Sequence, residues 1–423
     1  MEKLTDKHTF LDKIGIPSNL IWGFIGIIIF MIGEGLEQGW LSPYLIERGV
    51  TIENSSLMFS VYGIATAIAA WLSGVFVQTI GPKKTMLVGL IMFIIGTILF
   101  IGLGIGPLNF HVMLLTYLVR GLGYPLFAFG FLTWVTYSTG QNKLASAMGW
   151  FYFVMSLGMN VVGPFIAGYT IPVIGNIQTL WLSLFFVTLG GIVAIALNRA
   201  KFDLSKVSSG NKKEELLKGI TILYRKPKVS LGVLVKIINP VAVFGFAIFL
   251  PTYLVDYGFS TSEWLQLYSA MFMVAIIFNV VFGFLSDKIG WRTTIAWFGG
   301  VGSAIATLIV YYTPQVFGHN YTMMLIAVCL SGATLAGYVP LSALLPSLAP
   351  KDKGAAMSAL NLGSGLSSFL APALVGSLIR IIGTNGVVFV FVILYLVGAV
   401  ITAFLKLPNE TVNDGDIKQT ASV

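Results

Sequence analysis

Cysteine and histidine are nearly missing from this chain. The one cysteine, Cys329, excludes an internal disulfide and any thiolate metal cluster. The three histidines, His8, His111 and His319, fall in the tail or in loops, so no metal-ligand set is visible. No nucleophile–base pair and no phosphate-cradling glycine loop of the Walker A type is present, which leaves ATP drive within the chain unsupported. A membrane-embedded enzyme is therefore disfavoured, and neither cofactor nor metal is expected. Charge is scarce too. Charged residues make up 10% of the chain, against about a quarter in an ordinary soluble domain, and a solvated surface would be starved.

What the chain has instead is apolar length. Hydrophobic residues reach 56% and mean hydropathy is +0.88. Runs of about twenty apolar residues recur, each long enough to cross a hydrocarbon core of about 30 Å. The pattern predicts an all-α integral membrane protein with twelve helices near 21–45, 55–79, 86–105, 110–139, 144–170, 178–198, 229–256, 264–286, 294–313, 321–349, 354–381 and 385–406. The net charge of +8 would suggest nucleic acid in a soluble protein. Here most basic residues fall in alternate inter-helix segments and in the central loop, as the positive-inside rule requires. That orients the chain with both termini cytoplasmic and needs no nucleic-acid partner. The first twenty residues lack a short apolar core and read as a cytoplasmic leader.

The chain also repeats itself. Leu41-Ser-Pro-Tyr-Leu-Ile-Glu-Arg-Gly49 matches Leu250-Pro-Thr-Tyr-Leu-Val-Asp-Tyr-Gly258. The same offset carries Gly74 onto Gly283, Gly81 onto Gly290, and Ala147-Met148 onto Ala356-Met357, with Pro164 and Gly168 one residue out of step with Pro372 and Gly376. Two six-helix bundles follow, 1–198 with the leader and 229–406, joined by a polar linker at 199–228 and trailed by a tail at 407–423. This is the plan of a secondary transporter whose solute binds between pseudo-symmetric halves and is exposed alternately. Within the linker, Glu214 to Leu223 fits either a surface amphipathic helix or a plain tether.

Three charges lie inside the apolar runs: Glu34 and Glu37 on the first helix, Arg120 on the fourth. An ionised group at bilayer depth costs several kcal/mol unless paired or hydrated. The three-residue spacing puts both acids on one helix side. At the helical rise, Glu34 lies about 20 Å from one edge and Arg120 about 15 Å from the other, so the three can meet near the midplane. Two roles are open. One is proton coupling, since burial and a guanidinium act in opposite senses on a carboxyl's proton affinity; the other is a static salt bridge. Lys236, two turns into the seventh helix, suits either an inner gate or a side chain snorkelling to the interface. Candidate solute contacts are Gln38, Trp40, Tyr117, Tyr124, Trp150, Asn160, Asn239, Gln266, Asn279, Tyr338 and Asn361. Their amides and hydroxyls donate and accept together, which suits a polyhydroxylated ligand.

Gly283-Phe-Leu-Ser-Asp-Lys-Ile-Gly-Trp-Arg-Thr293 resembles the signature loop of the major facilitator superfamily. The resemblance implies that Gly283, Asp287, Lys288, Gly290 and Arg292 latch the outward-facing state, with Gly283 letting helices close tightly. The matching loop from Gly74 to Lys84 is degenerate, with Gln78 in the acidic place and Pro82 in a basic one. Leu407-Pro-Asn-Glu-Thr411 loosely resembles the terminal motif, and Arg120-Gly-Leu-Gly123 the fourth-helix motif of proton-coupled carriers. Gly33-Glu-Gly-Leu-Glu-Gln-Gly-Trp-Leu-Ser42, Leu20-Ile-Trp-Gly-Phe24, Ala70-Trp-Leu-Ser-Gly74, Arg120-Gly-Leu-Gly-Tyr-Pro-Leu-Phe127 and Gly149-Trp-Phe151 resemble the bacterial polyol permeases. That branch implies proton-driven uptake of a pentitol such as ribitol, D-arabinitol or xylitol by a monomer in a bacterial inner membrane. Glu34 stands where its pattern has Asp. A sugar or sugar acid is an alternative solute. Efflux is another reading, because Gly149, Gly158, Gly163-Pro164 and Gly168 approach the antiporter signature.

Overall fold

The computed structural model describes residues 16–198, 200, 202, 220–350 and 352–407. The expected leader, linker residues 203–219 with most of the amphipathic stretch, and the tail beyond Leu407 lie outside the described residues. Every regular element described is helical, in keeping with the all-α expectation. Eleven stretches are long and apolar enough to cross a membrane, and the last of them is two spans in one. It runs 51 residues from Lys353 to Ala403, about 76 Å at the helical rise, far more than one bilayer core. Gly383 divides it, with φ +69°, a backbone conformation that a residue without Cβ adopts freely. Its two limbs complete the twelve expected spans.

The first span is built from Ile21–Gly35 and Leu41–Glu47. The second and third are Ile52–Ile80 and Pro82–Ile105, the fourth Phe110–Ser138, the fifth Gln141–Ile174 and the sixth Asn176–Ala196. Then come Pro227–Val255, Thr261–Ile289, Trp291–Phe317 and Tyr321–Leu348 as the seventh to tenth. Large apolar side chains such as Leu115, Val173 and Phe284 are well exposed, as a lipid-facing surface requires, because the core of such a bundle is no more apolar than its rim.

Three spans expected to be continuous are interrupted. The first loses helical form over 36–40, the seventh between Ile238 and Val241, and the tenth between Ala336 and Leu341. Pro240 and Pro340 stand in two of these gaps, where a missing N–H removes a ladder bond. The third, fifth and ninth spans carry π-helical turns at Phe100–Ile105, Leu157–Val162 and Thr294–Val301.

The chain separates into two compact units, Met1–Leu41 with Ile68–Ser208, and Ser42–Ala67 with Ser209–Val423. In the first, the third and fourth spans approach backbone to backbone. A Cβ added to Gly123 would stand 2.6 Å from the Phe93 nitrogen, and one added to Gly96 would stand 2.7 Å from the Arg120 nitrogen. Phe30 stacks on Phe127 with ring centroids 4.1 Å apart and meets Phe93 edge-on. In the second unit, Ser42 Oγ shares a 2.8 Å hydrogen bond with Ser55 Oγ and donates to the Ile248 carbonyl at 3.2 Å.

The glycine seam carries a consequence. Gly123→Val is expected to force the third and fourth spans apart, at a cost of about 1–3 kcal/mol or more, and to reduce monodisperse protein in detergent. Gly74→Ala, where an added Cβ meets nothing within 4 Å, is expected to be silent. Fluorescence-detected size exclusion of the two variants checks the contrast.

Candidate functional site

The three intramembrane charges converge. Glu34 and Arg120 are 0% exposed and Glu37 1%, so the group is dry. An Arg120 Nη1–Glu37 Oε2 ion pair joins the fourth span to the first, and Arg120 Nη2 lies 3.3 Å from Glu34 Oε2. Tyr117, one turn before Arg120, donates its hydroxyl to Glu37 Oε1 at 2.8 Å. Both Glu37 oxygens are thereby engaged. Glu34 lies in the last turn of the helix Ile21–Gly35, whereas Glu37 lies in the hydrogen-bonded turns at 36–40 that follow it.

Aromatic rings wall the guanidinium. Its carbon lies 4.5 Å from the centroid of Phe93 and 5.7 Å from that of Tyr117. Such cation–π contacts are worth about 2 kcal/mol when desolvated. Tyr117 is held in turn by Phe100, 4.8 Å away, in the π-turn of the third span. The seam at Gly96 brings the Arg120 backbone close enough for this side chain to reach across. Arg120 Nε is buried without a hydrogen-bond partner among the described residues. With all groups ionised, two carboxylates face one guanidinium, and one proton on either acid balances these three groups. The arrangement can hold a proton in exchange for an ion-pair bond.

The remaining sequence candidates scatter. Trp40 is buried and its Nε1 donates to the Leu36 carbonyl at 2.6 Å, which ties it to its own turn. Gln38, Tyr124 and Trp150 are half-buried. Trp150 meets Phe153 edge-on, and Asn160 Nδ2 donates to Ser156 Oγ at 3.4 Å. In the second unit, Gln266 Oε1 accepts from the Tyr321 hydroxyl at 3.3 Å, whereas Asn279 and Asn361 are exposed. Asn239 and Tyr338 occupy the two helix gaps of that unit. Tyr117, expected at the solute, is bonded to Glu37 instead, and Phe93 was not foreseen. An aromatic residue in an apolar run carries no sign that a cation lies over it.

At the signature loop, Asp287 Oδ1 accepts from Trp291 Nε1 at 3.1 Å and Arg292 Nη1 donates to the Ala403 carbonyl at 3.3 Å. These residues and Gly290 line a cleft of about 590 Å³ with Trp297, Leu344 and Leu407, and Lys288 stands exposed beside it. Gly283 makes no close approach here, since an added Cβ would meet nothing within 4 Å. The tight closure expected of it is not made in this conformation.

The Major Facilitator Superfamily profile matches residues 23–316 and 266–422. The chain is 53% identical over 411 residues to the alpha-ketoglutarate permease of Bacillus subtilis (strain 168), covering 97% of this chain and 94% of that protein. It is 40% identical over 398 residues to the D-arabinitol transporter of Klebsiella pneumoniae, covering 93% and 94%. The crystal structure of the nucleoside transporter NupG superposes with a TM-score of 0.70 at 15% identity, over 90% of this chain and 99% of that one, and shares the fold.

The cluster predicts strong energetic coupling. Arg120→Leu leaves buried acid uncompensated and is expected to lower stability by about 3–5 kcal/mol. Adding Glu34→Gln and Glu37→Gln to it is expected to restore much of that loss. Thermal unfolding in detergent reads the cycle; additive effects would show that the groups do not interact.

Proposed function

The chain belongs to the Major Facilitator Superfamily, a secondary transporter and not an enzyme, and we propose that it takes up a linear five-carbon metabolite together with protons, the Glu34–Glu37–Arg120–Tyr117 cluster being the proton-handling site. The buried two-to-one ratio of carboxyls to guanidinium carries this reading. A static salt bridge needs only one acid, and a second acid buried against the same guanidinium is unfavourable unless it is used. Protonating one carboxyl loosens the tie between the first and fourth spans. Because Glu37 sits in the turns that interrupt the span, that tie also anchors the non-helical segment. Population of one conformer over another then depends on the proton, as coupling requires.

Relatives are named for alpha-ketoglutarate and for D-arabinitol. These molecules differ in charge, yet both are linear chains of five carbons dense in oxygen. The shared length supports a solute of that size, and the pentitol expectation becomes one of two. The efflux reading gains no support from this pair of names. Bacterial relatives support a place in a bacterial plasma membrane, and the distribution of lysine and arginine supports cytoplasmic termini.

In proteoliposomes, outside acid is expected to drive accumulation of labelled alpha-ketoglutarate or D-arabinitol. Glu37→Gln is expected to reduce accumulation about ten-fold or more, while solute exchange across the same membrane persists. Uptake indifferent both to the pH gradient and to Glu34→Gln and Glu37→Gln would overturn the proposal.

A further inference from the structure

The second unit has its own interrupted helices, and each gap holds a polar group without a partner. The seventh span breaks at Asn239 and Pro240, the tenth over 337–340. Non-helical backbone at membrane depth is tolerated where protein or a polar cavity receives it, and such gaps recur at transporter solute sites. Asn239 Oδ1 and the Tyr338 hydroxyl are both buried without a hydrogen bond, and Tyr338 is only 2% exposed. Both residues adjoin Tyr395. Its hydroxyl donates to the Asn239 carbonyl at 2.9 Å, and its ring lies 6.4 Å from that of Tyr338. Leaving two such groups unsatisfied is unfavourable unless a partner arrives.

A cation lies on the same helix as Asn239. Lys236 precedes Asn239 by three residues, on the same side of the helix. Its ammonium makes no ion pair or hydrogen bond among the described residues. It lies nine residues into the span, about 14 Å from its first residue at the helical rise. It is half-buried, so its charge is not sealed off. The described acids of this unit, Glu47, Glu53, Asp256, Glu263, Asp287 and Asp352, all stand at helix ends. Glu53 is paired with Arg380 and Glu263 with His319. Among the described residues of the unit, no acid pairs with Lys236.

We propose that Lys236, Asn239 and Tyr338 form a carboxylate-binding subsite at the junction of the broken seventh and tenth spans, and that the transported solute is an organic acid anion. The inference rests on the uptake reading above and names its substrate class. An ionised carboxylate only accepts hydrogen bonds. Lysine offers three donors and tyrosine one; the Asn239 amide offers two when its nitrogen takes the place of the orphaned oxygen, an orientation the hydrogen-bond network decides. A pentitol would leave the ammonium unneutralised; a carboxylate satisfies all three groups at once.

Binding of alpha-ketoglutarate, glutarate, D-arabinitol and ribitol to the purified full chain, by calorimetry without any gradient, tests this. The two acids are expected to bind and the two pentitols not, at the same concentration. Lys236→Gln is expected to weaken acid binding by about 30-fold or more, as when one member of a buried charge pair is lost, with Lys236→Arg recovering part of it. Tyr338→Phe is expected to weaken it by about three- to ten-fold. Pentitol binding with no acid binding, or equal acid affinity in Lys236→Gln, would overturn the subsite. If Lys236→Gln does not fold, the wild-type solute panel and Tyr338→Phe decide. No proton gradient enters the measurement, so its outcome is independent of the coupling experiment.

Discussion

A charge in hydrocarbon must find its opposite, and the amino-terminal unit is organised around that requirement. Arg120 cannot be left unpaired at membrane depth, so the fourth span has to lie where its guanidinium reaches the first. The glycine seam makes that possible, because Gly96 and Gly123 let the third and fourth backbones touch. Phe93 then covers one face of the guanidinium and Tyr117 bonds the acid it pairs with. Packing and electrostatics are one constraint here. A side chain added at the seam and a charge removed at the cluster disturb the same contact from two sides.

The two units deal with polar groups differently. In the first, acids, base and hydroxyl bond to one another within the protein, with Arg120 Nε alone of the guanidinium left over among the described residues. In the second, an amide oxygen and a phenol beside Tyr395 are buried without partners among the described residues, with a lysine one turn before the amide. A self-satisfied cluster suits a group that exchanges a proton; an unsatisfied one suits a group that waits for a ligand. Both lie at or beside helix interruptions.

Much of the fold was legible because long apolar runs and the internal repeat leave few alternatives. Glu34, Glu37 and Arg120 were legible for the related reason that a charge in such a run is rare. The gaps at 36–40, 239–240 and 337–340 were not. Hydropathy carries no signal for a lost backbone bond, and Gly39, Pro240 and Pro340 resemble the many glycines and prolines that helices here tolerate, such as Pro125 and Pro372. Tyr117 was singled out with the wrong neighbour, since its ring and hydroxyl suit a solute as well as an acid. Asn279 and Asn361 carried the same chemistry as Asn239 but are exposed, a difference of helix face that composition cannot give. The polyol likeness was real at 40% identity, yet the chain is 53% identical to a permease named for an acid. Solute charge is decided by a few side chains and is easily lost among several hundred shared ones.

The central claim is that the buried carboxyl pair binds and releases a proton as solute binds. Titration of solute into weakly buffered purified protein, with an indicator dye, reads this directly. The account predicts a change in bound protons for the wild type that disappears in Glu34→Gln/Glu37→Gln. No change in the wild type, or the same change in both proteins, would contradict it.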